Sequence, residues 1–158
     1  VGNLGFGALF GMMAGRVLGS GVTWLAVVLS GSVANFINTL LLDSTHRAIG
    51  ASTAVFAALC LIAGFSWRAK LFAPDRWAYR LGPIVGGIAL LAFTGTGSPD
   101  SNTDVGAHLM GFLCGFVSGT TLTLFYRYVP DIRVQKASGA AAVSIVVIAW
   151  AAALGPWA

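Results

Sequence analysis

The chain has 158 residues, of which 57% are hydrophobic and 9% charged, with a formal net charge of +4 and a mean hydropathy of +0.85. An average soluble domain has roughly 25% charged residues, so the composition excludes a soluble globular domain and predicts a protein of the lipid bilayer. The basic excess follows the alternation of the loops described below and calls for no nucleic-acid partner.

A helix needs on the order of 20 apolar residues to cross a hydrocarbon core about 30 Å thick. The apolar runs predict six such helices, at 1–15, 20–41, 52–66, 79–94, 105–126 and 138–157, with no internal repeat and no separate soluble domain. The sequence opens on Val1 without a leader pattern and is read as a piece of a longer protein. Asn3 lies near the start of the first run; an asparagine inside a membrane helix ordinarily bonds a neighbouring helix. The loop "AGRVLGS" leads to the second run and "LDSTHRAIGA" from there to the third. His46 in that loop stands beside Arg47 and is read as solvated. Ser52 opens the third run after Gly50, and the ordinary role of serine there is to cap the helix. At 1.5 Å per residue, 52–66 is about 22 Å long, short of the bilayer core, which predicts a first turn sunk below the membrane surface. A buried helix start presents unpaired N–H groups and a favourable dipole to an oxyanion. Ser52 is therefore also a candidate nucleophile.

The fourth run follows "WRAKLFAPDRWAYR", and the Gly- and Ser-rich "TGTGSPDSNTD" joins it to the fifth. Asp104 is read as the N-cap of the fifth helix, with a role in orienting His108 as the alternative. His108 lies one turn in, and ionisable side chains inside membrane spans usually face a cavity or a partner and mark function. Gly111, Gly115 and Gly119 recur every four residues and give a smooth face for close helix approach. The loop "RYVPDIRVQK" leads to the last run. Cys60 and Cys114 sit inside apolar runs as small buried hydrophobes, with no disulfide, metal or cofactor predicted.

Arg16, Arg68, Lys70, Arg76, Arg80, Arg127, Arg133 and Lys136 fall on one side of the alternating loops; Asp43, Asp100 and Asp104 fall on the other, where Arg47 is the lone strong base. The positive-inside rule assigns the first side to the cytoplasm, and Trp67, Trp77, Tyr79, Tyr126 and Tyr128 gather at that edge as interfacial rings do. The first, third and fifth helices are separated by single return spans, so all three run from outside to inside. That parity brings Asn3, Ser52 and His108 to one depth. A histidine within reach of a serine can act as its general base, and a side-chain amide can donate to the developing oxyanion.

These residues resemble the rhomboid intramembrane serine proteases. "IGASTAVFA" is similar to the family's Gly-x-Ser-x nucleophile motif, and "GAHLMGFLCG" to its Ala-His-x-x-Gly-x-x-x-Gly motif on the sixth core helix. "NLGFGALFG" followed by "LGSG" resembles the second core helix and its turn. The resemblance implies an all-α, polytopic membrane helix bundle with Ser52 as nucleophile and His108 as general base of a dyad that needs no carboxylate. It implies an oxyanion hole from Asn3 and the Ser52 backbone N–H, with Gly50, Phe56, Gly111 and Gly115 in support. Phe56 stands where the family usually has a tyrosine against the histidine ring, Thr53 where it often has glycine, and Gly15 where many members have an acidic residue. The first core helix, the loop after it and an upstream oxyanion-hole histidine have no counterpart in these residues. By the same resemblance 1–128 is a protease core lacking its first helix, and 129–158 a cytoplasmic linker with an additional transmembrane helix.

The expected function is intramembrane endoproteolysis of transmembrane protein substrates near their outer end, without a cofactor. The expected setting is a bacterial plasma membrane, the site opening to the extracytoplasmic side under a mobile "TGTGSPDSNTD" cap. A tight, glycine-lined site predicts a small residue before the scissile bond. The alternative is a catalytically inactive rhomboid-like protein that binds membrane clients; such proteins typically lose the serine or histidine, whereas Ser52 and His108 are both present. A transporter would call for further intramembrane charges along a path.

Overall fold

The computed structural model describes residues 2–41, 51–70, 77–94 and 104–155. They form α1 (Gly2–Leu18), α2 (Ser20–Leu41), α3 (Ser52–Ala69), α4 (Trp77–Thr94), α5 (Val105–Leu122), a 3-10 segment (Thr123–Tyr128) and α6 (Ile132–Leu154), with no strand among the described residues. The protein is an all-α membrane helix bundle. Four of the six predicted spans are long and apolar enough to cross a membrane: α2, α3, α5 with its 3-10 extension, and α6. The predicted loop residues His46, Arg47 and Gly50 and most of the "TGTGSPDSNTD" segment lie outside the described residues.

The first helix runs on to Leu18, beyond 15, and the fourth starts at Trp77, before 79; three further boundaries also differ from the hydropathy reading. The third helix runs on through Trp67, Arg68 and Ala69 and ends at Lys70 in the left-handed region, φ 53°. Its 18 residues span about 27 Å, against about 22 Å expected for 52–66, so the helix comes closer to the thickness of the bilayer core than the sequence reading has it. The fifth helix gives way to 3-10 geometry after Leu122, where the Thr120 and Thr121 hydroxyls both donate to the Val117 carbonyl at 2.8 Å and Thr123 donates to Thr120 O at 2.7 Å. Such back-bonding hydroxyls compete with the regular helical ladder. The last helix starts at Ile132, not 138, because Asp131 caps it and accepts from Arg133 N at 2.7 Å.

The centre of the bundle is α3, which packs against α1, α2, α4 and α5. Its buried residues are mostly small, Ala57, Ala58, Cys60 and Ala63 among them, with Leu61 and Phe65 filling the core beside Phe10, Leu18 and Val27. Small side chains let helices approach closely where lipid supplies no hydrophobic drive to associate. The glycine face of α5 uses this most fully. A Cβ on Gly111 would overlap the carbonyl oxygen of Thr53, one on Gly115 that of Ala57, and one on Gly119 that of Leu61. Both numbers rise together in steps of four, so α3 and α5 are parallel and in register. In the reverse sense, α2 pairs Ser30 with Ser118 at 2.8 Å and Asn38 with Asp104 at 2.9 Å, so it is antiparallel to α5.

Outside the core, α6 packs on α2, held by one polar side chain at its start. Gln135 Nε2 donates to Leu18 O at 2.8 Å and Val129 O at 2.7 Å, while its Oε1 accepts from Val22 N at 3.1 Å. Leu18 ends α1, and Gly19, at φ +75°, turns the chain into α2. A side chain at Gly19 or Gly21 would collide with Gln135. The turn is thus satisfied by a residue more than 110 positions away.

Candidate active site

The N-terminal ends of α1, α3 and α5 converge on one cavity of about 210 Å³. Asn3, Phe6 and Phe10 line it from α1, Ser52, Val55 and Phe56 from α3, Leu90 from α4 and His108 from α5. The polar members are the three side chains that parity assigns to one depth. Asn3 is exposed at the rim, Ser52 is half-buried, and His108 is 5% exposed. The parallel register of α3 and α5 places His108 one turn before Gly111 and therefore level with the start of α3.

Ser52 is the first residue of its helix; the N-cap is Ala51, which has no side-chain cap bond. The hydroxyl is thus not committed to capping. As the first helical residue Ser52 also has a backbone N–H without an intrahelical acceptor, at the positive end of the helix dipole. The buried ring of Phe56, one turn on, lies against His108 with centroids 4.7 Å apart and planes inclined by 39°. This contact limits how the imidazole can turn. Among the described residues Ser52 and His108 share the cavity without a hydrogen bond to each other; catalytic hydrogen bonds commonly tighten only in the substrate complex.

The walls are mainly aromatic. Among the described residues Gly2 is the one glycine lining the cavity, and the rings of Phe6, Phe10 and Phe56 make up much of its wall. Gly111 and Gly115 act one layer below, against the α3 backbone. Gly50 lies outside the described residues. Asp104 caps α5 as expected, its Oδ1 accepting from Ala107 N at 2.8 Å. Among the described residues no three His, Cys, Asp or Glu side chains gather as a metal site requires; Cys60 and Cys114 are free thiols.

Two polar residues escaped the sequence reading. Asn38, buried in α2, bonds Asp104 at the mouth of α5; its signal is an amide within an otherwise apolar run. Gln135 falls in a stretch read as loop.

Helices of membrane-spanning character, a central small-residue helix and a largely apolar cavity that gathers Asn3, Ser52 and His108 at the converging ends of three parallel helices define a polytopic membrane protein. A family model described as the Rhomboid domain matches residues 1–125. The chain belongs to the rhomboid family. No curated protein and no solved structure matches it.

Proposed function

We propose that the protein is an intramembrane serine endopeptidase that cleaves transmembrane segments near their outer end through a Ser52–His108 dyad. The observation that carries this reading is the shared cavity of Asn3, Ser52, Phe56 and His108. His108 takes the Ser52 proton as Oγ attacks the scissile carbonyl, and later gives it to the leaving amine. The Ser52 N–H and the Asn3 amide donate to the oxyanion between these steps. Water then releases the acyl group.

The same geometry supports a direction of attack. Arg16 and Arg68 lie in the last turns of α1 and α3, Arg127 in the 3-10 segment and Arg133 in the first turn of α6. All are at the end of the bundle away from the cavity. With the basic end in the cytoplasm, the cavity faces the extracytoplasmic side of what we take to be a bacterial plasma membrane. Substrates are transmembrane proteins that approach within the bilayer plane, and α6 is an addition to the protease core.

Labelling of the membrane-embedded protein with a fluorophosphonate, beside Ser52→Ala, tests the reading. Labelling of the wild type and none of the variant is expected. Equal labelling of both, or none of either, overturns it, and retained binding of a transmembrane client without cleavage then identifies a non-cleaving client binder.

A further inference from the structure

We propose that Asn38 is a positioning residue for His108, acting through Asp104; the inference rests on the protease reading above. Asn38 is 6% exposed in α2, where a lone amide is costly unless bonded. Its Nδ2 donates to Asp104 Oδ2 at 2.9 Å. The other carboxylate oxygen, Oδ1, accepts from Ala107 N at 2.8 Å, and the Asp104 carbonyl accepts from His108 N at 3.2 Å. Asn38 Oδ1 lies over the same turn, 2.6 Å from where a Cβ on Gly106 would sit. The amide therefore straddles the first turn of α5 from Asp104 to Gly106, and a side chain at 106 would have to displace it.

The first turn of a helix has the fewest intrahelical hydrogen bonds and is where helices fray. His108 sits at the end of that turn. Below it the glycine face fixes α5 to α3; above it the Asn38–Asp104 bond, between an amide donor and a carboxylate, fixes α5 to α2. A charge-assisted bond of this kind is about twice as strong as a neutral one. With both attachments His108 can neither slide along α3 nor lift away from Ser52. With the upper one removed, the first turn of α5 loses this attachment to α2.

The bond can be rebuilt with its ends exchanged. In Asn38→Asp/Asp104→Asn, the new amide at 104 accepts from Ala107 N through oxygen and donates to the carboxylate at 38 through nitrogen. The test uses the full chain in lipid and compares wild type, Asn38→Leu and the exchanged pair, with Ser52→Ala as the blank. Three quantities are read: the fluorophosphonate labelling rate, kcat and KM for a model transmembrane substrate, and amide exchange at Ala107 and His108. Misplacement of a catalytic group by about 1 Å can cost 10²-fold, so Asn38→Leu should lower labelling and kcat on the order of tenfold, with KM unchanged and exchange faster. The exchanged pair should recover all three. Wild-type labelling in Asn38→Leu, or an exchanged pair no better than the single variant, overturns the proposal. If the wild type is not labelled above the blank, the protease reading fails by itself. The amide exchange then decides whether Asn38 holds this turn, and unchanged exchange in Asn38→Leu refutes it.

Discussion

A serine at the first position of a helix offers a hydroxyl and an unpaired N–H from one residue, and Ser52 has both beside His108. Ser52→Ala and His108→Ala should each abolish cleavage of a model substrate in membranes. Because residues of one catalytic unit are grossly non-additive, the double variant should be no slower than either single one. Asn3→Ala should cost about 10²- to 10³-fold in kcat at nearly constant KM, the usual loss for one oxyanion donor; a rise in KM alone would make Asn3 a binding group. Asp104→Asn keeps an acceptor for Ala107 N and should cost much less than His108→Ala in the same assay. Ser52 and His108 were legible in the sequence because a serine behind a Gly-Ala turn and a lone intramembrane histidine each contradict their apolar surroundings. Asn38 does so too, but its partner is 66 positions away, and a single sequence does not pair residues at that distance.

Between elements, the contact of α3 with α5 is backbone on backbone, so stability there depends on the absence of atoms. Gly115→Ala would drive a methyl group into the Ala57 carbonyl, and neither backbone can move aside without shifting a whole helix. Overpacking of this kind costs about 1–3 kcal/mol and should lower the thermal midpoint in detergent, followed by circular dichroism. Gly82→Ala in α4, where a Cβ meets nothing within 4 Å, is the matched control and should leave the midpoint in place. The four-residue glycine spacing announced this face from sequence. The 3-10 end of α5 was not legible, since Thr-Leu-Phe-Tyr prolongs the apolar run and hydropathy does not register hydroxyls that bond their own backbone. The early start of α6 was hidden for the opposite reason: Arg133, Gln135 and Lys136 look like loop, yet Asp131 caps a helix there.

Across the whole molecule, three parallel helices bring Asn3, Ser52 and His108 together at one end, and Arg16, Arg68 and Arg127 lie towards the other. Counting return spans was enough to anticipate that polarity, although among the described residues α1 and α4 fall short of the length and hydropathy that the other four spans reach. A transmembrane helix hides its carbonyls in its own hydrogen bonds, so the proposed proteolysis requires a substrate segment that unwinds. Substrates with Gly or Pro near the outer boundary should be cut faster than a uniform Leu helix, these being the residues a helix tolerates least. A cavity walled largely by Phe6, Phe10 and Phe56 should favour a small residue such as Ala before the scissile bond. Mass spectrometry of fragments released from a panel of fusion substrates would locate the cuts. Clustering at the cytoplasmic end, or indifference to replacing the small residue with Phe, would contradict this placement.

The Gln135 contacts also set an order of events in biosynthesis. Chains emerge from the N-terminus, so α1, the Gly19 turn and α2 all enter the bilayer before residue 135 has been made. Until then the Leu18 carbonyl and the Val22 N–H lack the partner that the finished protein gives them. This hairpin, synthesised well before α6, is therefore completed only when α6 arrives, and a nascent chain halted before α6 carries an open turn that water, lipid headgroups or an insertion chaperone must serve meanwhile.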